Sequence, residues 1–189
     1  MNLIKRLAWI VVVGVRLGQF WTVDRYAFSQ EPKDTSNSVK PVSLCHAAEP
    51  GDKVSFSGRV LDYQGKPLAL AAVVAYNADR NGLYVSTASA TRIPRIRGVC
   101  VTDSLGRFAF STVRPGPYPS GDEPAHIHLV VTAPAHRPRF VTYWFAGDPL
   151  ITAAKREKAA RDPEIVIVSL ASQGADHWTF AHDIKLEGD

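Results

Sequence analysis

Short apolar segments, each closed by a turn, are the feature that most limits how this chain can fold. Residues 54–62 alternate between apolar and polar side chains, and a turn at residues 63–67 contains Gly65 and Pro67. Similar segments predict about eight strands, at residues 54–62, 68–76, 99–102, 107–110, 126–132, 139–145, 165–170 and 177–184. The pattern therefore predicts an all-β fold, an antiparallel β-sandwich.

One segment, residues 149–161, has helical character because alanine and lysine recur through it. Asp162 and Pro163 follow, and the residue before a proline is disfavoured in a helix. We therefore expect the sandwich to carry one short surface helix.

The composition is that of a globular protein, with 46% hydrophobic and 21% charged residues in 189. The formal net charge of +4 lies mostly in residues 1–29, where four Lys and Arg residues face a single Asp. The rest of the chain has no Lys/Arg run interleaved with aromatic residues. We therefore expect no nucleic-acid partner.

Residues 1–29 predict a signal peptide or an N-terminal anchor. Lys5 and Arg6 precede a short apolar run at residues 7–15, and Ala27-Phe28-Ser29 supplies small residues suited to a signal peptidase. We expect a periplasmic or extracellular protein, with a membrane-anchored form or a transient membrane association of this segment as the alternative.

The polar residues 30–51 predict a linker arm, so that the folded domain would span residues 52–189. Cys45 and Cys100 are the only cysteines. The sequence leaves a disulfide open, and we take two unpaired, partly buried thiols as the expectation.

A metal site is suggested by Tyr118, His126 and His128, which lie in PGPYP and the AHIH that follows it. Residues two apart on a strand share a face, so both imidazoles can reach one metal ion while Ile127 points the other way. A phenol oxygen from Tyr118 would add a hard anionic ligand, and a second phenol would suit ferric iron. The alternative is a pair of strand-face histidines beside a packed turn tyrosine.

Four segments in order resemble the intradiol ring-cleavage dioxygenases. They are AYNADRNGLY at residues 75–84, RGVCVTDSLGRFAFSTVRPGPYP at 97–119, AHIH at 125–128 and FVTYWFAGDP at 140–149. The resemblance implies an oxidoreductase that cleaves a catechol-type ring between its two hydroxylated carbons and incorporates both atoms of O2. It is greatest to the compact, exported members of the family.

The resemblance also implies a ligand set and a cofactor. The family's iron ligands fall on Tyr84, Tyr118, His126 and His128, so the implied cofactor is Fe(3+). Tyr118 matches the catalytic tyrosinate that the bound catechol displaces. The implied partners are a small aromatic diol and O2, and a homodimer is left open.

Two positions depart from the family pattern. Glu123 stands three residues before His126, where an arginine is common, and Thr142 stands where a glutamine is common. A glutamate there would disfavour a dianionic ligand. We consider Arg92, Arg95 and Arg97 as replacements for the missing positive charge, with a solvated basic loop as the alternative.

A rival resemblance comes from GRVLDYQGKPLALAAVVAYN at residues 58–77 and VTDSLGRFAFSTV at 101–113. These segments are similar to transthyretin-like or carboxypeptidase-regulatory sandwiches, which bind without performing chemistry. This alternative, or a catalytically lapsed binder, does not explain the four ligand-type residues. His46, His136, His177 and His182 are not assigned to the metal, and Trp144 and Phe145 are expected to be core residues.

Overall fold

The computed structural model describes residues 39–85 and 93–189, which contain eleven strands and one helix. In chain order these are β1 Val42–Ser43, β2 Lys53–Asp62, β3 Ala72–Asn77, β4 Ile96–Val101, β5 Arg107–Val113, β6 His126–Ala133, β7 His136–Phe145, α1 Ala153–Arg161, β8 Ile165–Val168, β9 Ala171–Ser172, β10 His177–Ala181 and β11 Ile184–Leu186.

The strands form two sheets. The first has the order β1-β5-β2-β10-β9, with β11 also paired to β2, and the second has the order β4-β3-β6-β7-β8. The expected all-β sandwich with one helix is confirmed. Its sheets are mixed rather than purely antiparallel, because β1 with β5, β10 and β11 with β2, and β8 with β7 pair in parallel. The connection from β7 to β8 passes through α1, as a parallel pair requires a crossover.

The core lies between the two sheets and is rich in aromatic rings. Phe56 on β2 stacks on Phe110 and on Phe180, with ring centroids 5.3 and 5.2 Å apart. It also meets Tyr143 on β7 of the other sheet, edge to face, at 6.1 Å. Because alternate strand residues face inward, this core leaves the outer face of the second sheet free to carry other side chains.

The sandwich begins before the boundary expected near Asp52. β1 pairs with β5, the Leu44 N–H donates to the Ser111 carbonyl at 2.9 Å, and Leu44 is only 3% exposed. Residues 39–51 therefore pack on the domain instead of forming a free arm. Cys45 is half-buried, Cys100 is buried, and neither forms a disulfide.

The helix starts later than expected, at Ala153, because the Thr152 hydroxyl accepts a hydrogen bond from the Lys155 N–H and caps it. None of the residues of α1 is buried, so it lies on the surface as predicted. Residues 1–29, where the targeting segment was predicted, lie outside the described residues. No helix within the described ranges is long and apolar enough to cross a membrane.

Asn77, the last residue of β3, joins the two sheets. Its side chain is fully buried, and Nδ2 donates to the carbonyls of Ala78 at 2.7 Å and Val113 at 3.3 Å. Its Oδ1 accepts from the Thr112 hydroxyl at 2.9 Å. Because Thr112 and Val113 end β5 in the opposite sheet, these bonds fix the ends of β3 and β5 relative to each other.

Replacing Asn77 by alanine is expected to lower the free energy of unfolding by about 2 kcal/mol, because the buried Thr112 hydroxyl loses its acceptor. Urea titration of both proteins measures this difference. Asn81→Ala, on an exposed turn, is the control and is expected to change stability by less than about 0.5 kcal/mol. Equal effects of the two substitutions would contradict the bridging role of Asn77.

Candidate metal centre

Tyr84 is presented by a tight loop that follows β3. The Asp79 carboxylate holds this loop, because Oδ1 accepts hydrogen bonds from the backbone N–H groups of Asn81 at 2.8 Å and Leu83 at 3.0 Å. The Asp79 N–H also donates to the Leu83 carbonyl at 2.9 Å. This Asx turn reverses the chain and brings Tyr84 back beside the sheet.

Tyr118 lies on a second loop, which follows β5. The Gly116 N–H donates to the Asp79 carbonyl at 2.9 Å, so the second loop is hydrogen-bonded to the first. Asn77 ties together the strands from which the two loops leave. The positions at which the loops that carry Tyr84 and Tyr118 begin are therefore fixed relative to each other.

Two glycines let the loops touch backbone to backbone. A Cβ on Gly82 would lie 1.9 Å from the Pro117 carbonyl oxygen, and a Cβ on Gly116 would lie 2.3 Å from the Arg80 carbonyl oxygen. Gly82 also has φ of +78°, a conformation that favours glycine. Any side chain at these positions would push the two tyrosine-bearing loops apart.

His126 and His128 lie on the outer face of β6, while Ile127 between them is fully buried in the core. The start of β6 is anchored by Asp148, whose Oδ2 accepts from the Ala125 N–H at 2.9 Å. The alternation of β6 therefore places both imidazoles on the same side as the tyrosine loops, as the sequence predicted.

The four predicted residues converge. The Tyr118 hydroxyl lies 3.0 Å from the Tyr84 hydroxyl and 3.0 Å from His126 Nε2, and the Tyr84 hydroxyl lies 3.3 Å from the same nitrogen. The ring of His128 is 4.6 Å from that of His126 and 6.4 Å from that of Tyr84, measured between centroids. Two phenols and two imidazoles thus face one point.

The imidazoles are oriented by their second nitrogens. His126 Nδ1 lies 2.6 Å from the Pro124 carbonyl oxygen, which can only accept, so Nδ1 carries the proton and Nε2 presents a lone pair to the two hydroxyls. His128 Nδ1 lies 3.1 Å from the Thr142 hydroxyl. Such outer hydrogen bonds are what fixes the ring orientation of metal-binding histidines.

Burial controls the protonation of the site. It lowers the pKa of His128 to about 4, with a smaller contribution from the charge of His126, so this imidazole is neutral at pH 7. Burial also raises the pKa of Tyr84, and its hydrogen bond with Tyr118 raises it further. Without a metal the Tyr84 hydroxyl keeps its proton, and a cation that binds must release it.

The donor set fits a hard trivalent metal. No group of three or more His, Cys, Asp or Glu side chains that could hold a metal occurs in residues 39–85 and 93–189. A metal at this point would therefore rely on the phenol oxygens of Tyr84 and Tyr118. Phenolate and imidazole together suit ferric iron better than a soft or a divalent cation.

A cavity of about 280 Å³ opens beside these donors. Tyr118, His126 and His128 line it, whereas Tyr84 does not, so Tyr118 is the phenol on the cavity side. The remaining walls come from the loop before β6, from β7, and from the region around the end of α1. Their residues are Glu123, Thr142, Trp144, Lys158, Asp162, Glu164 and Ile165.

Of the arginines considered as replacements for the missing charge, Arg95 and Arg97 do not line the cavity. Arg95 pairs with Glu49 at 2.5 Å and with Asp79 at 3.4 Å. Arg97 donates to a backbone carbonyl of its own turn, and Arg92 lies outside the described residues. Arg95 and Arg97 therefore do not supply the missing charge, and neighbouring acceptors engage them in place of the solvated basic loop that was the alternative.

Trp144 and Phe145 are both buried, as expected, but only Phe145 belongs to the core cluster between the sheets. Successive strand residues face opposite sides, so Trp144 points to the outer face, where it is opposite His126 in the strand register and lines the cavity. It is nevertheless only 2% exposed. Glu123 and Thr142, singled out from the sequence, also line the cavity.

Sequence reasoning missed the residues that position the site, namely Asn77, Asp148 and Gly116. One signal was present in the chain, because each tyrosine stands two residues after one of the glycines, in Gly82-Leu83-Tyr84 and Gly116-Pro117-Tyr118. The acidic wall formed by Asp162 and Glu164 had no such signal, because its place depends on how α1 packs.

The fold is a β-sandwich that brings two tyrosines and two histidines together, and several known proteins are similar to this chain. A family model described as "Dioxygenase" matches residues 26–188. The chain is 34% identical over 171 residues to the protocatechuate 3,4-dioxygenase beta chain of Burkholderia cepacia, covering 82% of this chain and 70% of that protein. It is 32% identical over 133 residues to the chlorocatechol 1,2-dioxygenase of Rhodococcus opacus, covering 59% and 51%.

Solved structures agree in fold. The 3-chlorocatechol 1,2-dioxygenase of Rhodococcus opacus 1CP superposes with a TM-score of 0.65 at 24% identity, over 79% of this chain and 66% of that one. The dioxygenase domain of a carbohydrate-binding fusion protein from Streptomyces sp. SirexAA-E gives 0.60 at 24% identity, over 82% and 96%.

The chain belongs to the intradiol ring-cleavage dioxygenase family. It spans about half the length of the chlorocatechol and catechol dioxygenases that it matches. The comparisons do not favour the alternative of a non-catalytic transthyretin-like module.

Gly82→Ala is expected to weaken iron binding at least about tenfold, because the new Cβ must displace the Pro117 carbonyl next to Tyr118. Gly65→Ala is the matched control, since Gly65 also has positive φ, +90°, but faces open space. The control is expected to lose about 1 kcal/mol of stability and no iron affinity. Titration with ferric iron compares them, and equal affinities would contradict the backbone contact.

The free energy of unfolding of the metal-free protein is expected to fall as the pH drops from about 6.5 to about 4. In this window unfolded His128 takes up a proton, with the usual pKa of 6.5, while folded His128 stays neutral until about pH 4. Urea titrations at several pH values should show a shallower fall for His128→Gln. His182, whose pKa is also lowered by burial, contributes equally to both proteins. Parallel curves would contradict the assignment.

Proposed function

We propose that this protein is a non-haem ferric dioxygenase that cleaves the ring of a catechol-type aromatic between its two hydroxylated carbons with O2. Tyr84, Tyr118, His126 and His128 would hold the iron. The observation that carries the proposal is the convergence of the two phenol oxygens and His126 Nε2 within 3.0 to 3.3 Å of one another, with His128 beside them.

The family and the donor chemistry both support iron. Intradiol dioxygenases use non-haem iron, and two phenolates with two neutral imidazoles neutralise much of the charge of a ferric ion. The chemistry that iron supplies when bound is Lewis acidity toward a catecholate, which makes the ring open to attack by dioxygen.

The protein's own residues divide the remaining tasks. Tyr84 is on the buried side of the site and is not in the cavity wall, so it serves to hold the site together. Tyr118 borders the cavity and is placed to give way to a substrate oxygen and to hold the proton that a catechol hydroxyl releases. Thr142 keeps the His128 ring oriented.

The cavity suits a single-ring ligand. Its volume of about 280 Å³ lies just below the lower end, about 300 Å³, of typical small-molecule pockets. Trp144 and Ile165 give it apolar wall area, and the histidines and Tyr118 give it polar groups at one end. An aromatic diol matches that distribution, with its ring against the apolar wall and its hydroxyls at the polar end.

The purified protein loaded with ferric iron is expected to show a broad visible charge-transfer band from tyrosinate ligation. The band should shift when catechol is added without air and should decay in air as the ring opens. Tyr84→Phe and Tyr118→Phe should each weaken the band, whereas Tyr63→Phe, at a position 68% exposed on a hairpin turn, should leave it unchanged.

The outcomes separate the two readings of the chain. A band that shifts with catechol but persists in air would indicate a catalytically lapsed binder. A colourless protein that binds no iron would overturn the assignment of all four ligands.

A further inference from the structure

The cavity beside the metal centre is acidic. In the described part of the chain, the carboxylates of Glu123, Asp162 and Glu164 line it, and Lys158 is the only Lys or Arg side chain among its lining residues. Glu123 stands three residues before His126, on the segment that leads from Tyr118 into β6. A negative charge therefore lies in the part of the cavity wall that is closest in sequence to Tyr118 and His126.

Two of these carboxylates, those of Glu123 and Glu164, accept no hydrogen bond and form no ion pair among the residues that the structure describes. Asp162 differs, since its Oδ1 accepts from the Glu164 N–H at 3.0 Å and so belongs to the turn after α1.

Among the described residues, Arg95 is paired with Glu49 and Asp79, and Arg161 is paired with Glu157 at 2.5 Å. Lys155 donates to the Asp122 carbonyl and Arg139 to the Pro163 carbonyl, so both cations bond to backbone next to the cavity carboxylates without pairing with them. Lys158 is exposed on α1 and also borders a neighbouring groove with Glu157 and Arg161. One ammonium group against three carboxylates does not reverse the sign of the charge.

The negative charge of the cavity affects which ligands can bind there. A catechol that chelates through both oxygens brings negative charge into the cavity, where the two free carboxylates repel it. A substituent carboxylate would increase the repulsion, and a neutral substituent would leave it unchanged. A substituent ammonium would reduce the net charge of the ligand and lie against the carboxylates that lack partners.

We propose that the preferred substrates are catechols whose ring carries a protonated alkylamine, and that Glu123, together with Glu164, selects them. The inference rests on the proposed function and deepens it, because it assigns the charge class of the substrate. Glu123 is the main selecting residue, since it is half-buried in the wall while Glu164 is exposed.

A series of three catechols tests the inference at pH 7. The probes are 4-(2-aminoethyl)catechol, the neutral 4-ethylcatechol and the anionic 3,4-dihydroxyphenylacetate, which are similar in size. Dissociation constants are measured without air on the iron-loaded protein by titration calorimetry and by the shift of the visible band. We expect the cation to bind about three- to tenfold more tightly than the neutral probe, and the anion to bind most weakly.

Glu123→Gln should lower the ratio of cation to neutral affinity by about three- to tenfold, and high salt should reduce it in the parent protein. Glu187→Gln removes the same charge from an exposed position outside the cavity and is the control that should leave the ratio unchanged. The specificity constants for turnover in air are a second measurement, and they are expected to rank the three probes in the same order.

The outcomes distinguish a failure of the charge selection from a failure of the proposed function. Equal affinities for the three probes, tightest binding of the anion, or an unchanged ratio in Glu123→Gln would overturn the charge selection while the visible band still supports the metal site. A protein without any band would overturn the proposed function and this inference with it.

Discussion

The site depends on one close contact between two loops that come from different sheets. Gly82 lies against the Pro117 carbonyl and Gly116 against the Arg80 carbonyl, with no room for a side chain at either position. A metal ion can bind two phenols only if their oxygens are within a few ångströms of each other, and this contact sets that separation. The sandwich supplies the fixed ends of the loops, and Asn77 holds those ends together from within the core.

The histidines depend on a different part of the fold. They lie on a central strand of the second sheet, between β3 and β7, where both neighbours fix the backbone. Their positions therefore follow from the sheet register, whereas those of the tyrosines follow from loop packing. Without a metal the site is a hydrogen-bonded set, in which the hydroxyl protons of Tyr84 and Tyr118 can serve two of the three contacts among Tyr84, Tyr118 and His126 Nε2. A metal that binds here must replace these hydrogen bonds and release the phenol protons. The buried Tyr84 hydroxyl therefore opposes binding, and only a strongly Lewis-acidic cation can displace its proton.

The sequence predicted most strands and placed His126 and His128 on one face of a strand, because alternation and turn residues are local signals. Tyr84 joined the ligand set only through the resemblance to the family. It failed where burial comes from distant elements. The polar composition around Leu44 hid a strand that pairs with β5, because no local pattern shows a long-range partner. Trp144 and Phe145 looked alike, since both are apolar and buried, yet they face opposite sides of the sheet. Arg95 looked available for the site, and only the folded chain shows that Glu49 and Asp79 engage it.

Glu123 is interpreted differently from the sequence alone and from the folded structure. As a residue type in the sequence it conflicts with a dianionic ligand, and a conflict of that kind suggests lost activity. In the fold it lies with Glu164 in the wall of a cavity that Tyr118, His126 and His128 also line, and the Tyr84 hydroxyl lies 3.0 Å from that of Tyr118. An intact donor set beside uncompensated negative charge is the arrangement expected when the ligand itself supplies the positive charge.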